Sequence, residues 1–76
     1  MPAIFSQFGF VFFFYSNEHL PIHIHVKGKG GSARFELEPE IKLTDKKGLK
    51  VQDIRKIERI IRKKKSYFIG KWHDTF

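Results

Sequence analysis

Residues 10–15 are aromatic or β-branched throughout, too few for a helix, and run into the polar Ser16, Asn17 and Glu18, a pattern that predicts a strand. Period two puts Phe10, Phe12 and Phe14 on one face and Val11, Phe13 and Tyr15 on the other. Both faces are apolar, so this strand is expected to be central or covered. Residues 22–27 alternate cleanly, with Ile22, Ile24 and Val26 inward and His23, His25 and Lys27 outward. Gly28, Lys29, Gly30 and Gly31 read as a turn. Beyond it Ala33, Phe35 and Leu37 alternate with Arg34, Glu36 and Glu38, predicting a third strand over 33–38 that hairpins onto the second. A weaker fourth strand is expected over 40–43.

From Val51 the period changes. Val51, Ile54, Ile57 and Ile61, with Ile60 alongside, recur every three to four residues while Arg55, Lys56, Arg59, Arg62 and Lys63 lie elsewhere, as on an amphipathic helix over 51–65. Ser66 reads as the cap of a second short helix over 66–74 carrying Tyr67, Phe68 and Trp72, with Gly70 weakening it. Strands followed by helices predict an α+β fold: a small antiparallel sheet of three or four strands with the C-terminal amphipathic helix packed on one face. The large apolar residues near the two ends, Ile4 and Phe5 with Phe8, and Trp72 with Phe76, are read as core closure; exposed, they would mark a dimer or partner face.

Length limits this picture to one domain over 1–76, since 76 residues hold a single small core. With 41% apolar and 16% aromatic residues the chain has the make-up of a folded protein, and its few large rings must supply most of the buried area. The absence of cysteine excludes disulfides, thiolate nucleophiles and cysteine-based metal sites. The apolar run 8–15 is far short of the roughly 20 residues of a spanning helix, and no Lys or Arg precedes Lys27, so neither a membrane span nor a secretory signal is expected and the cytoplasm is the default location. Fifteen Lys and Arg against eight Asp and Glu give a net charge of +7, which favours polyanionic partners. Seven of the cations fall within residues 51–65 against Asp53 and Glu58, so the charge is concentrated on the helix. Lys27, Arg55, Lys56, Arg59, Arg62, Lys63, Lys64 and Lys65 are the residues read as phosphate-binding; a solvated helix face is the plain alternative.

Three of the four histidines, His19, His23 and His25, fall within seven positions. On a strand His23 and His25 project from one face about 7 Å apart, and the turn before them can bring His19 or Glu18 near. Imidazoles so placed suit proton transfer near neutral pH or metal ligation, or are ordinary polar positions on a solvated sheet. Tyr15 and Asn17 are placed to hold the rings by hydrogen bonds. A three-histidine metal site would lack a further Cys or Asp ligand and identifiable carboxylates behind it, so no metal and no cofactor are expected.

The run Phe14-Tyr15-Ser16-Asn17-Glu18-His19, then Pro21, then His23-Ile24-His25-Val26, resembles a family of small bacterial proteins known as domain of unknown function 4160. Met1-Pro2, Ala33-Arg34-Phe35 and the helix leading to Trp72 echo it more weakly. Its members usually carry two prolines where this chain has Pro21-Ile22, and residues 62–65 are more basic than is typical. The resemblance implies a two-gene cassette of toxin and antitoxin type. Together with the charge, it points to an RNA-directed protein in which Lys and Arg hold phosphates. His23 and His25 would then act as acid and base, supported by His19, with Arg34 or Lys27 at the transition-state phosphate and no metal required. A non-catalytic module binding an acidic cognate protein is the alternative, with a homodimer open in either case; a metal-dependent hydrolase built on the histidines is the third.

Overall fold

The computed structural model describes residues 3–15 and 19–76. Among them five strands precede one helix: β1 (Ala3–Gln7), β2 (Phe10–Phe13), β3 (His23–Gly28), β4 (Gly31–Glu36), β5 (Lys42–Lys47) and α1 (Val51–Thr75). Each strand pairs antiparallel with the next, so the order across the sheet follows the chain. The fold is α+β, a meander with one helix, and has one strand more than the three or four expected. The additional strand is β1, whose Ala-Ile-Phe-Ser-Gln sequence is too short and uneven to announce itself by alternation. It places β2 inside the sheet, as that strand's two apolar faces require.

Several boundaries differ from those expected. The first predicted strand stops at Phe13, leaving Phe14 and Tyr15 beyond it, and the predicted 22–27 and 33–38 strands run over His23–Gly28 and Gly31–Glu36. The weak 40–43 strand is β5, over Lys42–Lys47. A tight turn explains where β3 ends and β4 begins, and another of the same kind joins β1 to β2. Between β1 and β2, Phe8 (φ 54°) and Gly9 (φ 83°) both take positive φ, as do Lys29 (φ 52°) and Gly30 (φ 81°) between β3 and β4. Two-residue turns of this kind match the twist of the strands they join and let pairing continue to the turn itself. Gly31 is required where β4 starts, because a Cβ there would collide with the carbonyl of Lys47 on β5.

The helix corrects the sequence reading most. No break occurs at Ser66, and residues 66–74 are the second half of α1 rather than a separate capped helix. Ile57, Ile60, Ile61, Phe68 and Trp72 form one buried stripe along it, and they pack on Phe10, Phe12, Phe14, Ile24, Val26, Phe35 and Leu37 from the inner face of the sheet. Burial of that stripe overrides the local preferences of Ser66 and Gly70. At the other end the Asp53 carboxylate accepts the Lys50 backbone N–H at 3.3 Å, which ties down the first turn and sets a negative charge against the helix N-terminus.

Gly70 lies within the helix with nothing within 4 Å of where a Cβ would stand. Gly70→Ala is therefore expected to stabilise the protein by about 0.5–1 kcal/mol, read by thermal or denaturant unfolding. A loss of stability would show that the chain needs a break at this position.

Candidate functional site

Helix continuity decides where the histidines lie. Because α1 runs on to Thr75, Trp72 reaches the start of β3, packing edge-on against Phe14 (5.4 Å between ring centroids) and His23 (5.1 Å). His23, expected outward on a solvated face, is buried at 4% exposure. Its Nδ1 lies 2.7 Å from the Pro21 carbonyl oxygen, a geometry in which Nδ1 carries the proton and donates. His25 is half-buried on the outer face of the sheet, away from α1, opposite Phe13 on β2 and Arg34 on β4. Rings surround it: Tyr15 at 4.5 Å, Phe13 at 5.6 Å and nearly parallel, and His23 at 5.0 Å.

The structure thus brings together Tyr15, His23 and His25, with Arg34 across from His25. Arg34 is engaged by its own neighbours. Its guanidinium donates to the Thr44 hydroxyl at 2.7 Å and pairs with Glu36 at 3.6 Å. His19 is exposed in the segment before β3, and Asn17 and Glu18 lie outside the described residues. Among the described residues no three His, Asp or Glu side chains converge as a metal site needs.

The basic residues divide into three settings. Lys56, Arg59, Lys63 and Lys64 follow one stripe of α1 and, with Ile60, form one wall of a groove of about 430 Å³; Gln7 and Phe8 at the β1–β2 turn form the other. Among the described residues no carboxylate lines it. From Lys56 to Lys63 the stripe rises about 10 Å along the helix axis. Arg55 and Arg62 lie in a shallower hollow around the next turn, which Arg59 also borders, and there the Glu58 carboxylate accepts from Arg62 at 2.8 Å and takes up part of its charge. Lys65 is half-buried outside both hollows, and Lys27 stands on the outer sheet face with its Nζ 5.4 Å from the centre of the Phe13 ring. The run of three lysines is therefore split, and four of the eight expected phosphate ligands line the groove.

Phe8 is the residue that sequence reasoning misplaced. Read there as core closure, it is 60% exposed at the hairpin tip, and the Lys56 ammonium sits 5.6 Å from its ring centre. Phenylalanine is costly at positive φ, on the order of 1–3 kcal/mol, and the position favours Asn or Gly. The available signal was the Phe8-Gly9 pair standing where hairpins place Asn-Gly, which becomes legible once β1 is recognised as a strand. Phe5, by contrast, closes the core as expected, its ring 5.7 Å from Phe12 and 6.0 Å from Phe68.

The comparison with known families agrees with the motif around the histidines: the model of the domain of unknown function DUF4160 matches residues 9–73. The chain belongs to the DUF4160 family. No curated protein and no solved structure matches it. The DUF4160 match takes in the histidine-bearing strand and the whole basic stripe of α1, and begins one residue after Phe8. No helix among the described residues of this DUF4160 chain is long and apolar enough to cross a membrane.

Burial separates the two histidines in a way that denaturation can read. His23→Ala is expected to cost about 2 kcal/mol, from a cavity under Trp72 and the lost hydrogen bond to Pro21, and to shift the emission of Trp72. His25→Ala should cost less than half as much and leave the tryptophan spectrum unchanged. Equal effects would contradict the placement.

Proposed function

We propose that this protein binds nucleic acid, with single-stranded RNA the preferred target, through the groove between α1 and the β1–β2 turn. The observation that carries the reading is the composition of that groove: four cations in one stripe, no carboxylate, and an exposed aromatic ring held beside them at a backbone cost. Phosphates need the cations, and an unpaired base needs a flat apolar surface next to them. A face that was merely solvated would gain nothing from Phe8 at positive φ, where a polar residue is easier to hold. An acidic protein would also answer the cations, but it has no particular use for the ring.

The reading is one of binding. A two-histidine proton shuttle needs both rings at the scissile phosphate, and His23 lies under Trp72 with its Nδ1 held by Pro21. His25, beside Arg34 on the outer face, is enclosed by Phe13, Tyr15 and His23 with its Nε2 buried, so neither ring is presented for proton transfer as the residues stand.

Titration of a labelled single-stranded RNA at several salt concentrations tests the proposal. Four phosphate contacts on a single strand give a log–log salt slope of about −3, and Lys56→Ala or Lys63→Ala should each remove about 0.7 of it. Absence of binding at low salt, or binding indifferent to both substitutions, would refute the groove. Co-purification of a cognate acidic protein that competes with RNA and is released by the same lysine substitutions would transfer the groove to the protein-module reading.

Phe8→Asn supplies a test that charge cannot mimic. Relief of the unfavourable φ should raise stability by about 1 kcal/mol, while RNA affinity falls. A variant that is more stable and binds equally well would leave Phe8 without a role.

A further inference from the structure

The outer face of the sheet carries a second surface that neither the fold nor the groove uses. On β2 and just beyond it, Val11 and Phe13 are half-exposed and Tyr15 is 55% exposed, although α1 covers only the opposite face. These three residues, with Ala3 from β1 and Lys27 from β3, line a concavity of about 240 Å³. Beside Phe13 stands its cross-strand partner on β3, His25, the two rings 5.6 Å apart and within 26° of parallel. Tyr15 rises at one end as a wall, its ring 89° from that of Phe13. Lys27 stands at the other end, its ammonium 5.4 Å from the Phe13 ring centre. Glu36, on the same face of the sheet, is engaged by Arg34 and does not neutralise Lys27.

We infer that this concavity is a stacking site for one unpaired base of the same nucleic acid, with Lys27 taking the adjoining phosphate; the inference rests on the binding reading above. Partly exposed aromatic rings on an open sheet face, next to a cation that no carboxylate among the described residues neutralises, offer what a base and its phosphate require together. A second copy of this chain is the poorer occupant. Pairing two such faces would set Lys27 and Arg34 of one copy against those of the other, in a protein of net charge +7. The concavity and the helix groove lie on opposite faces of the sheet, so substitutions at one leave the residues of the other in place.

The test uses the full chain and a single-stranded RNA oligonucleotide of about ten residues containing 2-aminopurine, whose fluorescence falls when it stacks. Phe13→Leu with Tyr15→Ala is expected to weaken binding about tenfold and to abolish the quenching, while Lys56→Ala and Lys63→Ala still lower the salt slope in that background, because the groove's own phosphate contacts are untouched. Tyr15→Leu alone, at an exposed position, should reproduce part of the loss with an unchanged thermal melt, which keeps the outcome independent of folding. Quenching and affinity equal to wild type in these variants, in a protein whose binding still depends on Lys56 and Lys63, would overturn the stacking site and leave the groove standing. A concentration-dependent dimer that the double variant abolishes would overturn it in favour of self-association. Failure of the wild type to bind the oligonucleotide at low salt would overturn both.

Discussion

Phe68 lies nearly flat on Phe12, their ring centroids 5.3 Å apart and 21° from parallel, and Phe5 meets both rings from the edge strand. This contact pins α1 across the inner face of β1 and β2, and rotation about the helix axis is then settled by Ile57 and Ile61, which are fully buried on the same stripe. What remains on the flank toward the β1–β2 turn is Lys56, Arg59, Lys63 and Lys64. The same rotation brings Trp72 down over Phe14 and His23. A hydrophobic constraint thus decides which cations share a groove and which histidine loses its access to water.

The positive charge accordingly has more than one task. Lys42, Lys46 and Lys47 are exposed along β5, the edge of the sheet, where lysines discourage pairing with other strands. The opposite edge, β1, carries no charge, and there the Tyr67 hydroxyl donates to the Ile4 carbonyl at 3.1 Å while the Lys64 ammonium sits 5.1 Å from the centre of the Phe5 ring and 5.8 Å from that of Tyr67. Edge protection by charge on one side and by helix side chains, Lys64 among them, on the other leaves Lys56, Arg59 and Lys63 as the groove cations that take no part in it.

Much of this was legible in the residues. The alternation of Ile22, Ile24 and Val26 and the three-to-four spacing from Val51 to Ile61 announce a strand and a helix whose buried faces the structure reproduces, on the helix from Ile57 onward, while Val51, in the first turn, is exposed. Periodicity fails where it is short or where distant burial outweighs it. β1 is five residues with no clean alternation, and without it Phe8 cannot be seen as a turn residue. Ser66 and Gly70 are locally good reasons to end a helix, and they yield because Phe68 and Trp72 have aromatic partners on the sheet. The burial of His23 follows from that continuation, so one misread boundary accounts for both errors. The split of Lys63, Lys64 and Lys65 is likewise a matter of helix angle, which composition does not report.

The central claim is that position, rather than the net charge of +7, makes the binding surface. Backbone amide chemical shifts followed by NMR during titration with single-stranded RNA test it most directly, because every region of the chain reports at once. The account predicts that the shifts gather at Phe8, Lys56, Arg59, Ile60 and Lys63 and leave β5 unmoved. Shifts spread evenly over Lys42, Lys46, Lys47 and the groove alike would show a diffuse attraction to charge and contradict it.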